Sequence, residues 1–446
     1  MEMSTPLLLP RRERIAAGVA ARRHMPRGHH AAWSPQADRR NPIDILVAQG
    51  RTRIQELLPT RYERMRASAF AFLRGSAAVM AADLATQPQT GLHVQLCGEA
   101  HLANFGSFAS PEGAPLFDVN DFDETLPGPF EWDVKRLGAS LAVCGGDAGL
   151  DKAARRALAG RCARAYRKHM ARLAALSPFE VWHSRIDLAD AIDAVENRAV
   201  RRGVKQRLRA AQRAHDAQYS LVERTDNGSR IRDHGTTEHI DRFRPAIETV
   251  FDAYRLAAPA HLDALFRHYR LADTAFKVVG VGSVGTFCAL GLFVSDDGEP
   301  LLLQAKEAQA SVLGAGLAPS VFVHQGERVV AGQRVMQAEP DIFLGWPPAQ
   351  IEGRWFYVRR LKDSRLANVG AVLEAQALDF AASLCGRTLA RAHARGGDAA
   401  TLAGYMGQGA SFDEAVADFA MAYAEQTIRD WQDFTAALEN GRLGIT

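Results

Sequence analysis

The chain has 446 residues, 47% of them hydrophobic and 24% charged, which excludes a disordered or fibrous protein and predicts one overgrown domain or two lobes. No run approaches the roughly 18 uninterrupted apolar residues of a membrane helix. With 54 Lys and Arg against 51 Asp and Glu, the formal charge of +3 gives no ground for specific nucleic-acid binding.

In chain order, residues 1 to about 40 are rich in Arg and His and poor in large apolar residues, so a flexible basic N-terminal arm is expected. From Pro42 to about Ala85 the spacing of Ile43, Leu46 and Val47, then Ile54, Leu57 and Leu58, predicts helices. Extended pieces follow at Leu92 to Cys97 and Pro115 to Val119, each ending in a polar cluster. Residues 131 to about 270 read as mostly helical, with an Arg-rich stretch from Arg198 to Arg213. Phe276 to Val279, Thr286 to Val294 and Leu301 to Ala305, with an Asp296-Asp297-Gly298 turn, predict an antiparallel meander. A helix near Glu327 to Met336, a strand at Trp355 to Leu361, and helices at about Val372 to Ala394 and Phe412 to Leu438 complete the pattern. Cys97, Cys144, Cys162, Cys288 and Cys385 are scattered with no C-x-x-C spacing, so neither a disulfide framework nor a structural zinc site is expected, and a reducing cytoplasm fits.

Four clusters could carry chemistry. Cys97-Gly98-Glu99-Ala100-His101-Leu102-Ala103-Asn104 places a carboxylate, an imidazole and an amide in one loop after a strand. Glu99 could accept a proton from an attacking hydroxyl, with His101 beside it, and Asn104 could complete a magnesium shell. Asp118, Asp121, Asp123 and Glu124 lie within seven residues, where like charges about 4 Å apart repel by several kcal/mol at intermediate dielectric. A hard cation relieves that crowding, with Asp121 and Asn104 sharing the metal and Asp118 and Asp123 supporting it. Gly280, Gly282, Ser283 and Gly285 lie between two strands, the layout of a kinase phosphate-covering loop rather than of a dinucleotide fingerprint, which needs a helix there. Lys306 ends the strand after the next hairpin, where a kinase presents its phosphate-gripping lysine, with Glu327 as a guess for its acidic partner. Asp133, near the start of a helix, could cap it or hold the neighbouring loop by backbone hydrogen bonds.

Two resemblances attach to these residues. Arg61-Tyr62-Glu63-Arg64-Met65, Phe72-Leu73-Arg74-Gly75, CGEAHLANFG, FDVNDFDETLPGP, EWDVKRL, GVGSVGT, QAKEA and LARAHARGGD resemble the bacterial family of domain of unknown function 2252 over nearly the whole chain. Gly98 to Asn104 is similar to the H-G-D-x-H-x-x-N loop of aminoglycoside phosphotransferases and choline kinases, and Asp121-Phe122-Asp123 to their metal-binding strand end. The second resemblance implies Glu99 as the catalytic carboxylate, Asn104 and Asp121 as magnesium ligands with Asp123 alongside, and Asp133 as the buried helix aspartate. Cys97 stands where that motif has His, and Glu99 where it has Asp. Because the glycine segment and Lys306 follow the catalytic-loop pieces, the resemblance implies a circularly permuted α+β, protein kinase-like two-lobe fold. Its small antiparallel-sheet lobe would bind the nucleotide and its larger lobe would be mostly helical. The expected divisions are 1–40, 41–270 with a helical insert from about 140, 271–365, and 366–446. The expected activity is ATP- and magnesium-dependent phosphoryl transfer, or nucleotidyl transfer, to an unknown acceptor. A regulatory nucleotide-binding pseudokinase and a metallophosphoesterase-like hydrolase are the alternatives.

Overall fold

The computed structural model describes residues 9–443 apart from 111–114, 194–197, 200, 204, 207–220, 227, 279 and 362–374. Its N-terminal region departs from the expected loose arm. Residues 11–40 include helix α1 (Arg11–Ala21) and a 3-10 turn at Arg27–Ala31. Close backbone approach here replaces apolar bulk. A Cβ at Gly18 would fall 1.9 Å from the Thr401 carbonyl oxygen, and one at Gly404 2.2 Å from that of Ile15, so two glycines let α1 lie directly on the helix Ala399–Met406. The arginines then serve as caps. Arg22 donates to the Tyr405 carbonyl and Arg27 to that of Met406, each at 2.8 Å, while Arg39 forks between Asp83 and Asp430.

Helices α2 (Pro42–Gly50), α3 (Leu58–Arg66), α4 (Ala69–Gly75) and α5 (Ala77–Ala85) occupy the region whose spacing is helical. Asn41 caps α2 by accepting from Ile43 N, and Ser68 caps α4 by accepting from Ala71 N. Strands β1 (His93–Leu96) and β3 (Pro115–Val119) match the expected extended pieces. Their antiparallel partners, β4 (Leu126–Pro129) and β2 (Phe105–Ala109), are too short to show a period. Helix α6 (Glu131–Asp147) is buried along nearly its whole length. It shares the main apolar core with α7 (Lys152–Leu173), α13 (Ala375–Gly396), α14 (Ala399–Met406) and α15 (Ser411–Glu439). The first residues of the helix expected at Val372 lie outside the described residues, as does most of the Arg-rich stretch 198–213.

The expected helical insert extends only part of the way to residue 270. After α8 (Pro178–His183) and α9 (Leu188–Asp193) the chain forms a hairpin of β5 (Val222–Thr225) and β6 (Gly228–Ile231), then β7 (Thr237–Glu238). Helices α10 (Arg244–Leu256) and α11 (Ala260–Phe266) pack on the sheet side, in a core separate from that of α6. The apolar stripe Ile247, Val250, Phe251 and Tyr254 marks α10 as amphipathic without naming its partner. The partner is a strand that thins to admit it: a Cβ at Gly291 would stand 2.7 Å from the Phe251 ring.

The sheet itself runs β11-β10-β9-β8-β7, all antiparallel, with β8 (Tyr269–Lys277), β9 (Cys288–Ser295), β10 (Pro300–Ala308) and β11 (Trp355–Arg360). On β10 the alternation divides two environments. Leu301, Leu303 and Ala305 join the core of α10, whereas Gln304 and Lys306 point to the opposite face. The register places Lys306 beside Tyr357 and Gln304 beside Arg359, so four polar side chains share that face. Helix α12 (Gln325–Met336) packs between this sheet and the helical body. Among the described residues no helix is long and apolar enough to cross a membrane, and all five cysteines are free thiols.

Candidate functional site

The loop after β1 is shaped by its backbone. Gly98 has φ +78°, and a Cβ there would stand 2.6 Å from the Glu124 carbonyl oxygen, so only glycine suits the turn. Asp133, in the first turn of α6, accepts hydrogen bonds from Cys97 N (2.7 Å) and Gly98 N (3.1 Å). His393 of α13 lies 3.1 Å from the same carboxylate and 2.9 Å from the Tyr166 hydroxyl. Asp118 is likewise buried; it accepts from Ala338 N at 2.8 Å and pairs with Arg391. Both aspartates therefore support the loops from behind.

Asn104 ties two loops together. Its Nδ2 donates to the Glu99 and Asp121 carbonyls, both at 3.0 Å, and its Oδ1 accepts from Asp121 N at 2.8 Å. Phe122 N caps the Asp121 carboxylate at 3.0 Å. The acidic cluster is thus opened by fixed backbone geometry, and the relief of its crowding comes from the sheet. Lys306 Nζ lies 3.0 Å from each Asp121 oxygen and 2.5 Å from Asp123 Oδ2. The other Asp123 oxygen accepts from the Tyr357 hydroxyl at 2.6 Å.

Burial by itself would raise the Asp121 carboxyl, but Lys306 and Arg359 outweigh it and hold the group well below the usual carboxylate range. Burial would lower the Lys306 ammonium, and Asp121 and Asp123 lift it well above its ordinary value instead. The guess that Glu327 partners Lys306 is corrected: the lysine is held by Asp121 and Asp123, which are close enough to make a helix-borne glutamate unnecessary. From α12 it is Arg328 that reaches this region, donating to the carbonyls of Thr125, Asp123 and Gln309.

A cavity of about 260 Å³ opens between these parts. Its lining joins Glu99, His101, Asn104 and Asp121, from the loops before and after the β2–β3 hairpin, to Gly280, Gly282, Ser283 and Lys306 from the sheet region. Gly282 rests on Glu99, since a Cβ there would stand 3.2 Å from a carboxylate oxygen. Ser283 Oγ lies 3.4 Å from Asp123. Burial, with Glu124 and Asp121 nearby, pushes the Glu99 carboxyl up to about 8, although Arg136 opposes the shift. His101 is held well below its ordinary value by burial and by Arg74 and Arg136, so its imidazole is neutral. Gly285 stands outside the cavity wall. With φ +88°, it packs against Arg53, and its carbonyl accepts from Ile54 N at 2.7 Å.

Three cavity residues escaped the reading of the sequence. Arg359 and Gln304 line the wall beside Lys306, and their signal was the period of two on paired strands, which becomes readable only once β10 and β11 are known to be neighbours. Arg74 also lines the cavity, from α4; its stretch, Phe72 to Gly75, carries the family resemblance but assigns it no role.

These features define a class first: a mixed α+β protein with a charged cleft between an antiparallel sheet and a helical body. The chain belongs to the DUF2252 family, whose model, described as an uncharacterized protein conserved in bacteria, matches residues 53–437. No curated protein and no solved structure matches it.

Proposed function

We propose that this protein is an ATP- and magnesium-dependent phosphotransferase built on a circularly permuted kinase-like fold. The observation that carries the reading is the meeting of Lys306 with Asp121 and Asp123 across 185 and 183 residues of chain, beside a cavity whose wall includes a glycine segment. The backbone N–H groups of Gly280 to Ser283 and the Lys306 ammonium would hold the phosphates. Magnesium fits the remaining donors. Asp121 keeps 28% of its side chain open, and the Asn104 oxygen has a second lone pair, while Mg²⁺ needs only one or two protein oxygens besides phosphates and water. Bound there, the ion would neutralise charge on the phosphates. Glu99 would orient the acceptor hydroxyl and take its proton, so that positioning and charge neutralisation supply most of the rate.

The permuted order has its own support. Gly396, the last residue of α13, and Gly397 after it touch β1: a Cβ at Gly396 would stand 2.6 Å from the Gln95 Cβ, and one at Gly397 2.6 Å from a Val94 methyl. Joining α13 to β1 there would make helix, strand and catalytic loop consecutive, and such rearrangements are tolerated where ends lie close.

A second reading rests on Glu99. With its carboxyl pushed to about 8, the group is mostly protonated at neutral pH and is a poor base, which favours a pseudokinase that binds nucleotide as a regulatory switch. The hydrolase alternative gains nothing, because two-metal chemistry wants several ligands together and no cluster of three or more His, Cys, Asp or Glu suited to a metal occurs among the described residues. The deciding experiment follows phosphate from γ-labelled ATP into a pool of small-molecule acceptors with and without magnesium. Magnesium-dependent labelling that disappears in Asp121→Ala supports the transferase. Nucleotide binding without transfer supports the switch, and no binding removes both.

A further inference from the structure

The cavity holds a cation that the reading above leaves without a task. Three cationic side chains line the cavity, and two of them are held by protein acceptors: Lys306 by Asp121 and Asp123, Arg359 by the Asn120 carbonyl at 3.0 Å and by Gln304 at 3.2 Å. Arg74 differs. Its Nε is buried with no hydrogen-bond partner among the described residues, and its guanidinium lies over the Phe70 ring, 5.9 Å from the centroid. Burial lowers its pKa, with Glu99 the nearby acid that opposes the shift. A half-buried guanidinium with no acceptor at hydrogen-bond distance lines the cavity ready for an anionic ligand.

The position of Arg74 says which anion. A Cβ at Gly280 would stand 3.9 Å from the guanidinium, and one at Gly282 3.6 Å from the Arg74 carbonyl oxygen and 3.2 Å from Glu99. Arg74 therefore lies beside the glycine segment in the cavity that also holds the proposed base, where a terminal phosphoryl group would pass from donor to acceptor. Resting on the phosphotransferase reading, we infer that Arg74 binds the non-bridging oxygens of the nucleotide's terminal phosphate, acting as an arginine finger supplied by the chain itself. A guanidinium suits this task because its fork of donors matches a pair of phosphoryl oxygens. In the transfer, the bond between the terminal phosphorus and the bridging oxygen breaks, the acceptor oxygen bonds to phosphorus, and its proton passes to Glu99. Arg74 keeps its own protons throughout and offsets charge on the three oxygens in flight.

Calorimetric titration of the full chain with magnesium plus either ADP or β,γ-imido ATP tests the assignment. The native chain should bind both, and Arg74→Gln should lose about tenfold or more in affinity for the triphosphate analogue while its affinity for ADP is unchanged. Arg74→Lys, which keeps the charge but not the fork, should fall between them. Equal loss for the two ligands, or no loss, overturns the assignment while leaving the phosphotransferase reading in place. A raised KM for acceptor with unchanged triphosphate affinity overturns it too, by giving Arg74 to an anion on the acceptor. A native chain that binds neither ligand removes both proposals together. Should Arg74→Gln fail to fold, arginine modification of the native chain by phenylglyoxal provides the second measurement. Protection of Arg74 by β,γ-imido ATP but not by ADP supports the finger, and equal protection overturns it.

Discussion

The two walls of the cleft meet their charges in opposite ways. On the sheet wall, Lys306, Asp121, Asp123 and Tyr357 form a closed network in which each charged group has a partner at 3.0 Å or less. On the other wall, Glu99 and Arg74 lie near each other without an ion pair, and burial leaves the acid titrating near 8. A closed network fixes geometry before any ligand arrives. Unpaired groups hold electrostatic free energy that a ligand or a change of pH can release. The proposed division of labour follows, with the first wall positioning the nucleotide and the second acting on the group that moves.

Breaking the closed wall should produce the largest effects. Lys306→Met leaves two carboxylates facing one another without their cation, which should destabilise the fold by about 3 kcal/mol in chemical denaturation and abolish binding of magnesium-ATP. Asp133→Ala strips the acceptor from Cys97 N and Gly98 N, and two buried donors left unmet should cost about 2 kcal/mol or more. Its loss of activity should exceed what the lower stability explains, because the loop carrying Glu99 loses its anchor.

Titrating the open wall should produce intermediate effects with a definite sign. Below pH 4.5 the Glu99 carboxyl is protonated in both folded and unfolded chains; between there and about 8 the unfolded chain gives up a proton that the folded chain keeps. Folding stability should therefore fall as pH rises through that window and level off above it. Glu99→Gln should remove this slope, as read from denaturant midpoints across the pH range. Transfer should rise as pH passes through about 8 in the native chain, and the same substitution should flatten that rise. The smallest effect belongs to Gly282→Ala. Its added methyl, 3.2 Å from a Glu99 oxygen, removes some of the remaining water and should move the midpoint of the pH profile slightly upward.

How much of this was legible depended on whether the information was local. The acidic loop, the glycine segment and Lys306 announce themselves by residue type and by the strands that bear them, and the meander from β8 to β10 follows from alternation and the turn at Gly298. The partner of Lys306 was misread because the nearest helix bears Glu327, whereas the decisive neighbour arrives from a loop 185 residues earlier. The side of the molecule to which α10 belongs was hidden for a related reason: an amphipathic stripe says that a face is buried, not against what. The docking of α1 was hidden because it depends on Gly18 and Gly404 meeting backbone, and glycine leaves no hydrophobic signal. Arg74 stands in the Phe72-Leu73-Arg74-Gly75 stretch that carries the family resemblance, but only the shape of the cavity gives it a task.

The central claim is that the Lys306 ammonium and the Asp121 carboxylate serve one triphosphate. A crystal structure of the chain grown with magnesium and β,γ-imido ATP tests it most directly. The account predicts a magnesium ion about 2.1 Å from an Asp121 oxygen, Lys306 moved off that carboxylate onto the phosphates, and the glycine segment above them. A nucleotide bound elsewhere, or one in the cavity with Lys306 still locked to both aspartates and no metal on Asp121, would contradict it.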